Sequence, residues 1–118
     1  MSKKRNANFK AMFERYLGHS LEMGTVETLV GIRDEWKNAH EQILKNVGAG
    51  KITPEDGIVE HRAATKAFKD NSRAVLKDAD YKAFFELPGV VEGLKLVEEI
   101  RGMRYRAAAP RLASKHGL

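Results

Sequence analysis

Apolar residues recur every three or four positions along this chain, and that spacing constrains the fold more than any other feature of the sequence. Patterns typical of strands are almost absent, and the β-branched residues are scattered. A chain of 118 residues is long enough to form one domain with its own core. The sequence therefore predicts a single all-α domain over residues 1–118, folded as a compact antiparallel bundle of four to five helices. The basic ends, 1–5 and 110–118, are expected to be flexible.

Proline, glycine and the apolar stripes predict where the helices begin and end. The predicted helices cover about 6–17, 25–47 and 54–76, a short segment between Asp78 and Pro88, and about 90–109. The clearest signal is KITPED, in which Thr53 can cap a helix whose first residue is Pro54. Ser20 and Asp78 are also predicted to be helix N-caps. One apolar face of the last helix is predicted to combine Val91, Leu94, Val97, Ile100 and Met103.

The absence of cysteine excludes several classes of site. Without thiols there is no disulfide framework, no thiolate zinc or iron–sulfur site, and no cysteine nucleophile. The basic N-terminus is not followed by the apolar segment of a signal peptide. No stretch approaches the ~18 consecutive apolar residues of a membrane-spanning helix. We therefore expect a cytoplasmic protein without membrane association.

Residues suited to catalysis or metal binding are present, but not in productive patterns. The four histidines are His19, His40, His61 and His116, and no two lie three or four positions apart on one helix. Whether His40 and His61 meet on facing helices is left open by the sequence. The carboxylate pairs mostly lie at predicted helix starts, where acids complement the helix dipole. We predict that the chain is not an enzyme and needs no metal or cofactor.

Two adjacent phenylalanines give the best candidate for an interaction surface. Side chains of neighbouring helical residues point about 100° apart, so Phe84 and Phe85 require a helix with two apolar faces. Either the short helix is deeply inserted, or another molecule covers one ring. Together with Tyr81, these two residues form the predicted interaction site.

The distribution of charge suggests a second possible function. The net charge is +5, of which residues 1–10 carry +4 and residues 101–118 carry +5, so the body between them carries −4. Basic segments at both ends are suited to sequence-independent phosphate binding. The candidate nucleic-acid residues are Lys3, Lys4, Arg5, Arg101, Arg104, Tyr105, Arg106, Arg111 and Lys115. The three arginines among 101–106 also complement the negative end of a helix dipole.

The sequence thus favours a small, non-catalytic helical interaction protein, an adaptor or regulator that binds a protein partner through a helix face. The thin apolar stripe of the third helix and the long second helix suggest a homodimer as well. The alternative is a nucleic-acid-associated protein that binds phosphates through its basic ends.

Overall fold

The structure is a computed structural model that describes residues 2–110, with side chains from residue 6 onward. All regular structure in this range is helical, which confirms the predicted all-α bundle. The helices are α1 (Ser2–Leu17), α2 (Met23–Gly48), α3 (Pro54–Val75), α4 (Asp78–Phe85) and α5 (Pro88–Ala108). α1 begins at Ser2 rather than near Asn6, so the basic residues 3–5 are part of the helix. Of the predicted flexible segment 110–118, residues 111–118 lie outside the described residues.

The centre of the bundle consists of α2, α3 and α5. α2 and α3 form an antiparallel hairpin, in which the indole N–H of Trp36 donates to Thr65 Oγ1 at 3.0 Å. α5 runs antiparallel to α3, and Arg62 Nε donates to Glu98 Oε1 at 3.0 Å between them. α5 is consequently parallel to α2. The shorter helices α1 and α4 pack at one end of this three-helix unit.

The start of α3 forms as the sequence predicts. Thr53 has extended backbone angles, and its side-chain oxygen accepts a hydrogen bond from the Asp56 N–H at 3.0 Å. Pro54 occupies the first helical position, where its missing N–H costs nothing. In the preceding loop Gly50 adopts a φ of 75°, a conformation that favours glycine.

Three other predicted boundaries are wrong. Ser20 is not a helix cap, because α2 begins at Met23 with Glu22 as its N-cap residue. Asp78 is the first residue inside α4 and binds Arg73 Nη2 at 2.7 Å instead of capping. Pro88 does not end α4 but occupies the first turn of α5. Proline is common both in the first turn of a helix and just after the end of one.

The core is small and divided between two ends of an elongated molecule. One cluster contains Phe13, Leu29, Leu76 and Phe85, and the other contains Ile43, Val47 and Tyr105. The Cα radius of gyration is 17.2 Å, and the principal dimensions are 59 × 30 × 20 Å. A globular chain of this length has a radius of gyration near ~13 Å. Because the bundle is thin, it leaves several large apolar side chains at the surface.

Candidate functional site

A polar cluster joins α2, α3 and α5 between the two halves of the core. His40 on α2 and His61 on α3 have ring centroids 6.3 Å apart, so the two histidines do meet in space. His40 Nδ1 lies 2.8 Å from the Tyr105 hydroxyl, and His61 Nε2 lies 2.9 Å from Arg101 Nη1. The Arg101 guanidinium also stacks over the Trp36 ring at 4.5 Å. The cluster therefore connects all three central helices.

The contacts of His61 determine its protonation. A guanidinium only donates hydrogen bonds, so His61 Nε2 accepts from Arg101 and the ring proton lies on Nδ1. Nδ1 is buried and has no hydrogen-bond partner among the described residues. Burial, reinforced by the positive charge of Arg101, lowers the pKa of His61 to about 4. His61 is therefore neutral at physiological pH.

Burial also shifts the pKa values of the neighbouring His40 and Tyr105. Desolvation lowers the pKa of His40, with smaller contributions from Arg101 and Arg104. It also raises the pKa of Tyr105 to about 12. His40, His61 and Tyr105 are buried, with exposures of 6%, 1% and 0%, whereas Arg101 and Trp36 are partly exposed. The hydrogen bonds of the cluster join α2 to α5 and α3 to α5, while His61 Nδ1 is a buried polar atom without a partner among the described residues.

Two of the candidate nucleic-acid residues, Arg101 and Tyr105, belong to this polar cluster. The ring of Tyr105, one of the candidate residues, has 0% exposure and presents no face on which a base could stack. Arg101 is turned inward onto His61 and Trp36. Arg104 and Arg106 remain exposed on α5. The side chains of Lys3, Lys4, Arg5, Arg111 and Lys115 lie outside the described residues.

An apolar groove separates α1 from α5. Among the described residues these two helices do not pack against each other, and the space between them encloses about 370 Å³. Its walls include Phe9 and Met12 of α1 together with Leu94 and Val97 of α5. Arg33 is the one charged side chain in the lining, and its guanidinium lies 5.3 Å from the centroid of the Phe9 ring. The volume falls within the range of natural binding pockets, ~300–1,000 Å³.

The short helix α4 forms part of the groove lining, and its two phenylalanines play different parts. Phe84 stacks on Phe13 of α1 with ring centroids 4.4 Å apart. Phe85 points the other way, with its ring edge-to-face against Phe68 of α3 at 5.6 Å. Each ring thus packs against another helix of the chain, and both rings contribute to the groove lining.

The three predicted interaction residues are therefore not equally accessible. Phe85 is only 5% exposed, so the expectation that it is a surface residue is wrong. Phe84 and Tyr81 are half-buried, and the Arg73 guanidinium lies 5.0 Å from the centroid of the Tyr81 ring. Phe84 is the predicted interaction residue whose ring is both partly exposed and directed into the groove.

The apolar residues of α5 occupy two faces rather than the single predicted stripe. Leu94 and Val97 face the groove, whereas Val91, Ile100 and Met103 are exposed. Leu96, which the predicted stripe omitted, is 55% exposed. The sequence could not separate these faces, because it does not reveal which side of α5 lies against α2 and α3.

Two further site classes can be assessed directly. In the described part of the chain, no three His, Asp or Glu side chains are grouped so that they could hold a metal ion. Within residues 2–110, no helix combines the length and the apolar composition that crossing a membrane requires.

Comparisons with protein-family models, with curated proteins and with solved structures find no match to this chain. Its function is therefore inferred from its own residues.

Proposed function

We propose that this chain is a non-catalytic, cytoplasmic interaction protein that binds an apolar segment of a partner protein in the groove between α1 and α5. The observation that carries the proposal is the groove lining, which is apolar at nearly every position and includes the predicted interaction residue Phe84. Water gains few hydrogen bonds from such a surface, so covering it releases free energy. Pockets of this kind receive the large anchor side chains that dominate the affinity of protein interfaces.

The arrangement of the walls favours an amphipathic helix as the partner segment. Residues of α1 and α5 lie on two sides of the groove, and aromatic rings from α4 and α3 complete its lining. A partner helix can place side chains three or four residues apart along such a groove. Arg33 at the groove lining favours a partner with an acidic residue beside its apolar anchors. Phe84 is held by its stacking on Phe13, so binding requires little additional ordering of this ring.

Site-specific photo-crosslinking tests the proposal with a matched pair of methionines. Met12 lines the groove, whereas Met23 is similarly exposed at the start of α2 and lies outside the groove lining. With benzoylphenylalanine at either position in cells expressing the protein, we expect a discrete covalent adduct from position 12 and none from position 23. Leu94→Arg, which places a charge in the groove, should abolish the adduct. An adduct that survives Leu94→Arg, or that forms equally from position 23, contradicts the proposal.

The alternative function, phosphate binding by the basic ends, is supported by the exposed guanidinium groups of Arg104 and Arg106 and by the net charge of +5. Sequence-independent nucleic-acid binding needs no base-reading residue, so the burial of Tyr105 weakens this alternative without removing it.

A further inference from the structure

The outward face of α5 carries an apolar stripe that none of the described helices covers. Leu96, Ile100 and Met103 are 55%, 43% and 60% exposed, and Ala107 continues the stripe. The spacing of these four residues is four, three and four, which keeps them on one side of a helix. The opposite side of α5 packs against α2 and α3 through residues such as Tyr105. A helix that is apolar on two sides is typical of one buried between two partners.

We propose that this stripe binds a second copy of the same chain, with the two α5 helices antiparallel about a two-fold axis. The spacing of four, three and four reads the same in both directions, so the stripe is complementary to itself when one copy is reversed. Ile100 then lies beside Met103 of the second copy, and Leu96 lies beside Ala107 of the second copy. Each contact occurs twice by symmetry, as an isologous interface requires.

The charges along the stripe are complementary in the antiparallel orientation. Glu92, Glu99 and Arg106 follow one another at intervals of seven residues, so they line the same edge of the stripe. In the register set by the apolar residues, Glu99 lies within two residues, about 3 Å along the axis, of Arg106 of the second copy. In a parallel pair this edge would instead lie beside the opposite edge of the second copy, so that Glu99 would meet Arg104 rather than Arg106. Opposite charges at such flanking positions determine orientation in paired helices.

The size of the surface predicts a weak, reversible dimer. The stripe from Leu96 to Ala107 extends about 18 Å along the helix. A single helix face of this length buries less area than the ~800 Å² per partner that is typical of stable interfaces. Arg104, on the other edge of α5, approaches its own copy across the two-fold axis and weakens the pairing further. In the part of the chain that the structure describes, this face of α5 is exposed to solvent.

Sedimentation velocity over a wide concentration range tests the dimer. We expect the full chain to shift with concentration from 13.2 kDa towards twice that mass. Ile100→Glu should keep it monomeric, because each copy would press a carboxylate against the apolar Met103 side chain of the other. Met23→Glu, at an apolar residue that is equally exposed but lies on α2, should dimerise like the wild type. Leu94→Arg, which blocks the groove, should also leave the dimer intact, so this proposal and the groove proposal fail independently.

A charge exchange tests the orientation. Arg106→Glu and Glu99→Arg should each weaken dimerisation by roughly tenfold, because two attractive pairs become repulsive. The double variant should recover most of the affinity, since each pair is restored with its charges reversed. A chain that stays monomeric at every concentration, forms larger open assemblies, or shows no recovery in the double variant overturns the proposal. Circular dichroism of each variant separates loss of pairing from loss of folding.

Discussion

The buried His61 ring predicts a specific dependence of stability on pH. Its pKa is about 4 in the folded protein, against the ordinary histidine value of 6.5 in the unfolded chain. The folded state therefore favours the neutral ring, so this contribution to stability is complete above pH 6.5 and is lost as the pH falls towards 4. A difference of this size corresponds to about 3 kcal/mol, of which about 1 kcal/mol is lost by pH 5.5. That is a large share of the ~5–15 kcal/mol that stabilises a typical domain.

The matched perturbation is His61→Gln, which removes the titration but keeps an acceptor for Arg101. Urea unfolding monitored by the fluorescence of Trp36, the one tryptophan, gives the free energy of unfolding of both proteins between pH 7.5 and 4.5. Glu14 and Asp78, whose pKa values are lowered, also lose stability in acid, whereas His19, whose pKa is raised by Asp80, loses it as the pH rises. These groups and His40 remain in both proteins, so the difference between the two isolates His61.

The stability advantage of the wild type over His61→Gln should shrink steadily below pH 6.5. A constant difference across this range would refute the assignment of a neutral, buried His61. The same conclusion would follow if NMR found the ring titrating near 6.5 in the folded protein. Both results would mean that water or a negative charge reaches the ring, contrary to its 1% exposure.

Three further predictions concern packing, the hydroxyl in the cluster and the basic ends. Gly57→Ala should lower the free energy of unfolding in urea by about 1 kcal/mol, because the added Cβ would lie 3.0 Å from an Ile43 methyl group. Gly31→Ala, whose added Cβ has nothing within 4 Å, should raise it by ~0.5–1 kcal/mol. An equal gain from both would show that α2 and α3 do not approach so closely. Tyr105→Phe should cost ~1–3 kcal/mol by leaving His40 Nδ1 unpaired, while Tyr16→Phe at the surface should change stability by less than ~0.5 kcal/mol. For the nucleic-acid alternative, fluorescence anisotropy should show binding to generic DNA that weakens steeply with salt and disappears on deletion of 1–5 and 111–118; binding that persists after the deletion would exclude the basic ends as its cause.

Local signals in the sequence predicted the secondary structure well. Thr53 and Pro54 define the start of α3 because a cap and a proline act within one turn, independently of the rest of the fold. The same local rules were ambiguous at Pro88, which suits both the end of one helix and the start of the next. Local signals could not predict the groove or the polar cluster, because both depend on how helices distant in sequence are arranged.

The sequence by itself determined that the chain is all-α, where most helices lie and that α4 needs two apolar faces. These properties follow from residue spacing and from hydrogen bonds within a few residues. Tertiary structure alone decided that Phe85 is buried while Phe84 lines a groove, that His40 and His61 meet, and that Leu96, Ile100 and Met103 face outward. The physical reason is that an apolar stripe specifies only that a face is buried, whereas the neighbour that buries it depends on helix positions and directions set by the whole chain.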